Sequence, residues 1–254
     1  MNRRKGSIIN NLLKSLPKGV AAVYPWLGEQ GVYHQLADIY VKSGWIERIG
    51  RGAYKRAGEK VDWLGGVYTL QSQAKMAVHP SGKTAIELHG NAHYVSARLI
   101  QEKVVLFGLP NEKLPAWFKN YSWNVQIRYT MTGLFKDVPS LGLVVFDCGN
   151  FEIKISSTER AAMEFCYDVG NNESFDELDL IFEGFTTLRP QLIQELLEKC
   201  NSVKTKRLFM YLAEKHHHAW AKRVDLKNVD FGTGNRSFCR SGHYNKKYKI
   251  VIPK

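Results

Sequence analysis

The stretch Gly44-Trp-Ile-Glu-Arg-Ile-Gly-Arg-Gly-Ala-Tyr-Lys-Arg56 decides the fold of the N-terminal part of the chain. Residues that favour strands lie on both sides of Gly50-Arg51-Gly52, and this glycine-rich tripeptide is typical of a tight turn. The sequence therefore predicts a short β-hairpin. The hairpin carries four basic residues, which are Arg48, Arg51, Lys55 and Arg56.

Three helices are predicted before this hairpin. Apolar residues recur with helical spacing from Ser7 to Leu16, with Ser7 as the N-cap and Pro17 as the end signal. A second short helix is expected at Val23–Glu29 and a third at Val32–Lys42. Three helices followed by a basic hairpin form the winged helix-turn-helix layout, so residues 1–60 are expected to be a DNA-binding domain.

The third helix is expected to enter the major groove of DNA. Its inward face is predicted to hold Val32, Leu36, Ile39, Tyr40 and Ser43. Its outward residues are predicted to be His34, Asp38 and Val41, with Gln35 and Lys42 beside them. We expect His34, Gln35 and Asp38 to read bases, and Lys42 and the four hairpin cations to contact the DNA backbone. A winged helix used for protein contact is the alternative.

The distribution of charge supports a polyanionic partner. The 254 residues include 36 Lys and Arg against 24 Asp and Glu, a net charge of +12. Residues 1–60 hold 11 basic and 4 acidic residues, and residues 191–254 hold 14 and 5, whereas residues 61–190 are mildly acidic. Basic ends of this kind attract phosphate backbones.

Composition excludes several classes of protein. Apolar residues make up 44% of the chain and charged residues 24%, which is a globular composition and not a disordered one. No apolar stretch approaches the ~20 residues that a membrane helix needs, and the N-terminus lacks a signal-peptide pattern. A cytoplasmic location is expected, with the four cysteines reduced.

The rest of the chain, residues 61–254, is predicted to be a larger α+β domain with a small sheet. Strand-like stretches lie at 102–108, 124–132, 142–147 and 151–156. Helices are expected to follow two capping boxes that begin at Ser156 and Ser174, then at Pro190–Cys200 and Ser202–Trp220.

An enzymatic alternative rests on Asp147, Glu152 and Lys154, which form the pattern D-x4-E-x-K. Magnesium-dependent nucleases use two carboxylates to hold the cation and a lysine to stabilise the phosphate charge. Any half-exposed strand with alternating charges has the same pattern, so we expect no enzyme, no cofactor and no metal. The run His216-His217-His218 is not expected to bind metal, because successive helical residues point about 100° apart.

Cationic residues also cluster near the C-terminus. Lys204, Lys206, Arg207 and Arg236 are the candidates for a surface that acts on an acidic or polyanionic partner. A plain protein-binding module and a solvated helix face are the alternatives for this region.

The chain resembles a known family. Gly44–Tyr54 looks like the winged helix of the AbiEi-type antitoxins of type IV toxin–antitoxin systems, which act in abortive infection. Four further stretches are similar to motifs of that family's C-terminal domain. They are residues 79–90, 156–161, 202–209 and 247–253.

The resemblance implies a protein with two functions. The N-terminal domain would bind inverted repeats of double-stranded DNA in its own promoter and repress its operon. The C-terminal domain would counter a nucleotidyltransferase-like toxin, without a need for direct binding to it.

Overall fold

The structure is a computed structural model, which describes residues 2–90 and 103–253. The described residues form two compact units. The first contains residues 2–79, 103–131 and 145–154, and the second contains residues 80–90, 132–144 and 155–253. No helix in the described part of the chain is long and apolar enough to cross a membrane.

The N-terminal elements have the order of a winged helix. They are α1 Asn2–Ser15, β1 Ala22–Val23, α2 Tyr24–Glu29, α3 His34–Lys42, β2 Ile46–Gly50 and β3 Ala53–Arg56. The three strands form one antiparallel sheet in the order β1-β3-β2. The predicted three helices and hairpin are confirmed. The helix start at Ser7 is wrong, because α1 begins at Asn2 and includes Ser7.

A compact apolar core joins the three helices to the sheet. Each helix contributes the residues of one face, among them Leu12 of α1, Leu27 of α2 and Leu36 of α3. Tyr54 of the hairpin packs against the same core. Burial of large aliphatic side chains contributes ~1.5–3 kcal/mol each, so this core orients α3 and the hairpin together.

The middle of the chain alternates short helices and strands. Its elements are α4 Trp63–Tyr68, a π-helix at Thr69–Gln73, β4 His79–Pro80, α5 Gly82–Leu88, β5 Lys103–Gly108, α6 Ala116–Asn120, β6 Gln126–Met131, β7 Leu143–Asp147 and β8 Glu152–Ser156. One sheet has the order β4-β5-β6, with β5 and β6 parallel, and β7 pairs with β8. The predicted strands are thus confirmed, apart from Glu102, which lies outside the described residues.

The second unit is mainly helical. Its later elements are α7 Thr158–Asp168, α8 Phe175–Glu183, α9 Pro190–Lys199, α10 Val203–Lys215, 3-10 helices at Ala219–Arg223 and Leu226–Asn228, and strands β9 Arg236–Ser237, β10 His243–Asn245 and β11 Ile250–Ile252. The buried helix α7 packs against α5, α8, α9 and α10. The α+β class is confirmed. The last long helix ends at Lys215 and not at Trp220, since His216 caps it and a separate 3-10 helix follows.

Contacts inside the first unit extend past residue 60. The backbone N–H of Val23 donates to Gln73 Oε1 at 2.9 Å, and Gln73 Nε2 and Thr69 Oγ1 both donate to the carbonyl of Ala21 at 2.9 Å. These bonds hold β1 against the π-helix. The domain boundary at residue 60 stays a prediction. Because these hydrogen bonds cross that boundary, they do not favour independent folding of residues 1–60.

Candidate nucleic-acid interface

Helix α3 presents a polar face to solvent. Leu36, Ala37 and Tyr40 are buried, and they anchor the helix on the core. The side chains on the opposite face are exposed, and they are His34, Gln35, Asp38 and Lys42. The four side chains of α3 that sequence analysis assigned to DNA contact are therefore accessible.

Two apolar residues of α3 differ from the predicted pattern. Ile39, expected inside, is 41% exposed, and Val41, expected outside, is half-buried against the N-terminal core. The buried face is centred on Leu36, Ala37 and Tyr40, so a helical period places Ile39 on its border. Ile39 thus joins the accessible face beside Gln35.

His34 is held in place by an aromatic neighbour. Its ring stacks on Tyr24 with a centroid distance of 3.6 Å and an interplanar angle of 12°. The backbone N–H of His34 also donates to the Tyr24 hydroxyl at 3.1 Å. One face of the imidazole is covered, so His34 offers its other face and its edge to a ligand.

An ion pair connects α3 with the hairpin. Arg48 Nη2 lies 2.9 Å from Asp38 Oδ1, and the two side chains are 53% and 56% exposed. The Arg48 guanidinium also lies over the Tyr54 ring, 5.5 Å from its centre. Asp38 Oδ1 is thus engaged by Arg48, and Arg48 keeps donors available while Asp38 and Tyr54 orient it.

Two of the four hairpin cations serve the fold. Arg56 Nη2 donates to the carbonyls of Leu13 and Leu16, at the C-terminal end of α1. Such contacts satisfy carbonyls that a helix end leaves free. The Arg56 guanidinium thus binds the end of α1, and we no longer expect it to contact the DNA backbone.

Lys55 is likewise engaged. Its Nζ lies 2.7 Å from Glu47 Oε2 and donates to the carbonyl of Glu59 at 2.6 Å. The Lys55 ammonium and the backbone N–H of Gly58 lower the pKa of the Glu47 carboxyl. Only Arg48 and Arg51 of the hairpin cations remain directed at solvent, and Arg51 is exposed at the turn next to Gly52, whose φ is 72°.

The hairpin packs closely against Trp117, which lies far along the sequence. A Cβ on Gly50 would lie 2.8 Å from Trp117 Cβ, so only glycine allows this approach. Trp117 meets Phe118 and Trp123 edge-on, with centroid distances of 5.5 and 6.2 Å. Sequence analysis missed this aromatic support, because nothing local to the hairpin indicates which later segment packs on it.

The three residues of the nuclease alternative lie on the paired strands β7 and β8. Asp147, Glu152 and Lys154 are all exposed, and Asp147 Oδ1 accepts the backbone N–H of Gly149 at 2.7 Å. The buried residues of β8 are Ile153 and Ile155, as expected for a half-exposed strand. Across residues 2–90 and 103–253, no group of three or more His, Cys, Asp or Glu side chains is placed to hold a metal ion.

Comparison with known proteins identifies the family. The model of the AbiEi antitoxin N-terminal domain, described as a transcriptional regulator, matches residues 5–97. The model described as "Transcriptional regulator, AbiEi antitoxin, Type IV TA system" matches residues 101–253. The chain belongs to the AbiEi antitoxin family. Curated proteins include no match to the sequence.

A solved structure has a similar fold. The RV2827C protein from Mycobacterium tuberculosis is similar over 98% of this chain and 91% of its own, with a TM-score of 0.63 and 14% sequence identity. At this identity the likeness concerns the fold alone.

The four stretches likened to motifs of the C-terminal domain contribute mainly to the interior of the second unit, but the assignment of residues 79–90 to that domain was wrong, because they fall within the match to the N-terminal domain model. Arg160 Nε donates to Glu164 Oε1 at 2.8 Å, and both side chains are almost fully buried. Glu164 Oε2 accepts from Ser156 Oγ at 2.6 Å and from the backbone N–H of Gly82 at 3.2 Å. Two of the motif stretches, residues 79–90 and 156–161, therefore meet at this carboxylate.

Serines cap helices α7, α8 and α10 of the second unit. Ser157 accepts the backbone N–H of Arg160, so the cap of α7 lies one residue after the expected Ser156. Ser174 caps α8, and Pro190 opens α9, as predicted. Ser202 caps α10 by accepting the N–H of Thr205 at 3.2 Å.

Two of the four residues expected on an antitoxin surface are core residues. Lys206 and Arg207 are 4% and 2% exposed. Arg207 donates to the carbonyls of Phe231, Gly234 and Gly232 at 2.8, 2.6 and 3.0 Å. Their assignment to a surface is wrong, because this face of α10 is directed towards the interior. Arg207 binds the glycine-rich loop at residues 231–234.

The other two residues of that set are accessible in part. Lys204 Nζ lies 4.4 Å from the centre of the Phe238 ring, and burial lowers the pKa of Lys204. Arg236 is half-buried, and its Nη1 donates to the carbonyl of Asn235 at 2.9 Å. Lys204 and Arg236 therefore remain as candidates.

The three consecutive histidines point to different partners, but the helical reason given for this was wrong, because α10 ends at Lys215 and all three residues follow it. His216 Nε2 lies 2.8 Å from Asp179 Oδ1, and His218 Nε2 lies 2.8 Å from the carbonyl of Phe182. His217 lies between them in the left-handed region, with a φ of 55°. Burial lowers the pKa of His218, whose ring stacks on Trp220 with a centroid distance of 5.4 Å.

Proposed function

We propose that this AbiEi-family protein represses its own operon by binding inverted repeats of operator DNA through its winged helix, and that it also acts as the antitoxin of that operon. The observation that carries the proposal is the joint accessibility of the α3 polar face and of Arg48 and Arg51, which one ion pair links. In this arrangement a helix can enter the major groove while the hairpin contacts the flanking backbone.

The proposed contacts are divided by their chemistry. Gln35 and His34 reach base edges, where an amide can bind adenine in a bidentate manner. Lys42, Arg48 and Arg51 contact phosphates, with Arg51 at the hairpin turn placed for the neighbouring groove. Asp38 orients Arg48.

Binding to the promoter region of its own gene tests the DNA-binding part. The double variant Arg48→Ala/Arg51→Ala should bind all duplexes more weakly, and its plot of log K against log salt should be flatter by about two units. Lys222→Ala/Arg223→Ala is the matched control, because it removes two exposed cations from the second unit. Wild-type affinity in the Arg48/Arg51 variant would reject the assignment.

Antitoxin action is tested separately. We expect cells that express the toxin of the same operon, proposed to be nucleotidyltransferase-like, to grow only when the intact protein is also expressed. The Arg48/Arg51 variant should lose repression of a promoter reporter while it still restores growth. Alanine variants of Lys204 and Arg236 test the remaining cationic candidates, and co-purification of the two proteins distinguishes direct binding from indirect antagonism.

A further inference from the structure

An aliphatic side chain lies on the otherwise polar face of α3. Ile39 is 41% exposed, and it lies one helical turn after Gln35 and one turn before Lys42. Residues at these spacings are neighbours on one helix surface. Because Leu36, Ala37 and Tyr40 hold the opposite side on the core, the orientation of Ile39 is set by the fold.

We propose that Ile39 reads the 5-methyl group of a thymine in the operator. The inference rests on the proposed binding of DNA by α3 and adds a determinant of sequence. The thymine methyl is the apolar group on the major-groove edge of a base pair, and apolar side chains recognise it by contact. The polar neighbours of Ile39 cannot make this contact.

The chemistry of Ile39 and Gln35 is complementary. Gln35, at position i−4, suits the N6 and N7 atoms of adenine, and Ile39 suits a thymine methyl. A β-branched side chain in a helix has one strongly preferred χ1 rotamer, so Ile39 presents its methyl groups in a defined place. Together the pair favours A·T base pairs at adjacent positions of each half-site.

Replacement of thymine by deoxyuridine tests the contact, since it removes the methyl group and keeps the hydrogen-bonding groups. The duplex is one that the intact protein selects from a random pool, with each thymine replaced in turn. Replacement at one position per half-site should weaken binding of the wild-type protein about fourfold, which is the ratio of Kd values that corresponds to burial of one methyl group. Ile39→Ala should lose a similar factor on the thymine duplex and be insensitive to deoxyuridine at that position alone.

Two variants serve as controls. Ile39→Val keeps a branched surface and should retain sensitivity to the methyl group. Leu180→Ala removes an aliphatic side chain of similar exposure, 48%, from the second unit and should bind like the wild type.

The outcomes separate this inference from the proposed function. If Ile39→Ala keeps the full deoxyuridine effect, or if no thymine position is sensitive in the wild type, the methyl contact is rejected while DNA binding stands. If Ile39→Ala changes the oligomeric state in sedimentation, Ile39 belongs to a protein interface and the proposal fails. Absence of any duplex binding by the wild type would reject the proposed function itself.

Discussion

At the scale of single residues, the basic side chains of the hairpin differ in how their donors are used. Arg56 closes the end of α1, Lys55 binds Glu47, and Arg48 binds Asp38 at the surface. Arg51 is exposed at the turn. Equal formal charges thus have unequal value for binding DNA.

Asp38→Asn is expected to release Arg48 with little effect on stability. An exposed ion pair contributes under about 1 kcal/mol, so the free energy of unfolding measured in urea should fall by less than about 1 kcal/mol. Loss of a carboxylate near the phosphates should raise the affinity for unrelated duplexes and steepen the salt dependence by about one unit. Glu183→Gln, an exposed change in the second unit, should alter neither quantity.

The pair of Glu159 and Arg189 predicts a pH-dependent stability. Arg189 donates to both carboxylate oxygens of Glu159, at 2.9 and 2.8 Å. Burial raises the pKa of Glu159, but the bonds from Arg189 outweigh it and lower the pKa to about 2. The unfolded value is about 4.3, so the stabilisation is complete above it and disappears as the pH falls towards 2.

Arg189→Met should therefore destabilise the protein by about 2 kcal/mol at pH 7, since it leaves a buried carboxylate without its partner. At pH 4 the gap from the wild type should narrow, because the variant's Glu159 then takes up a proton. Urea unfolding at both pH values measures the gap. A gap of the same size at pH 4 and pH 7 would contradict the role of the charge.

At the scale of elements, the hairpin depends on its packing against Trp117. Gly50→Ala would place a methyl group 2.8 Å from Trp117 Cβ and 3.0 Å from Trp117 Cα, where no flexible side chain can yield. We expect a loss of about 1–3 kcal/mol in stability and weaker DNA binding, because the hairpin is displaced. Gly28→Ala is the control, since its Cβ has no atom within 4 Å and α2 gains helix propensity. Equal stability of the two variants would contradict a supporting role of Trp117 for the hairpin.

Elements could be predicted from the sequence where their signals are local. The spacing of Leu36 and Tyr40 predicts a helix, and Gly50-Arg51-Gly52 predicts a turn, and both are present. Ile39 and Val41 exchanged their expected places, because they lie on the borders of the helix faces. The neighbouring elements decide such positions.

At the scale of the whole molecule, the winged helix is part of a larger unit. Gln73 and Thr69 bind the backbone of Ala21 and Val23, and Trp117 supports Gly50. A fragment of residues 1–60 should therefore lack a cooperative unfolding transition, whereas the intact chain should show one. Circular dichroism during urea unfolding distinguishes them, and a cooperative transition of the fragment would restore the boundary at residue 60.

Local patterns in the sequence predicted the three N-terminal helices with their hairpin, the four central strands, the basic character of both ends and the likeness to the AbiEi family. These properties reside in local periodicity, turn residues, composition and short motifs. The availability of each cation depends on the packed fold, since the burial of Lys206 and Arg207 and the bonds of Arg56 involve segments distant in the chain. Charge is a property of the residue, whereas its exposure is a property of the packed fold.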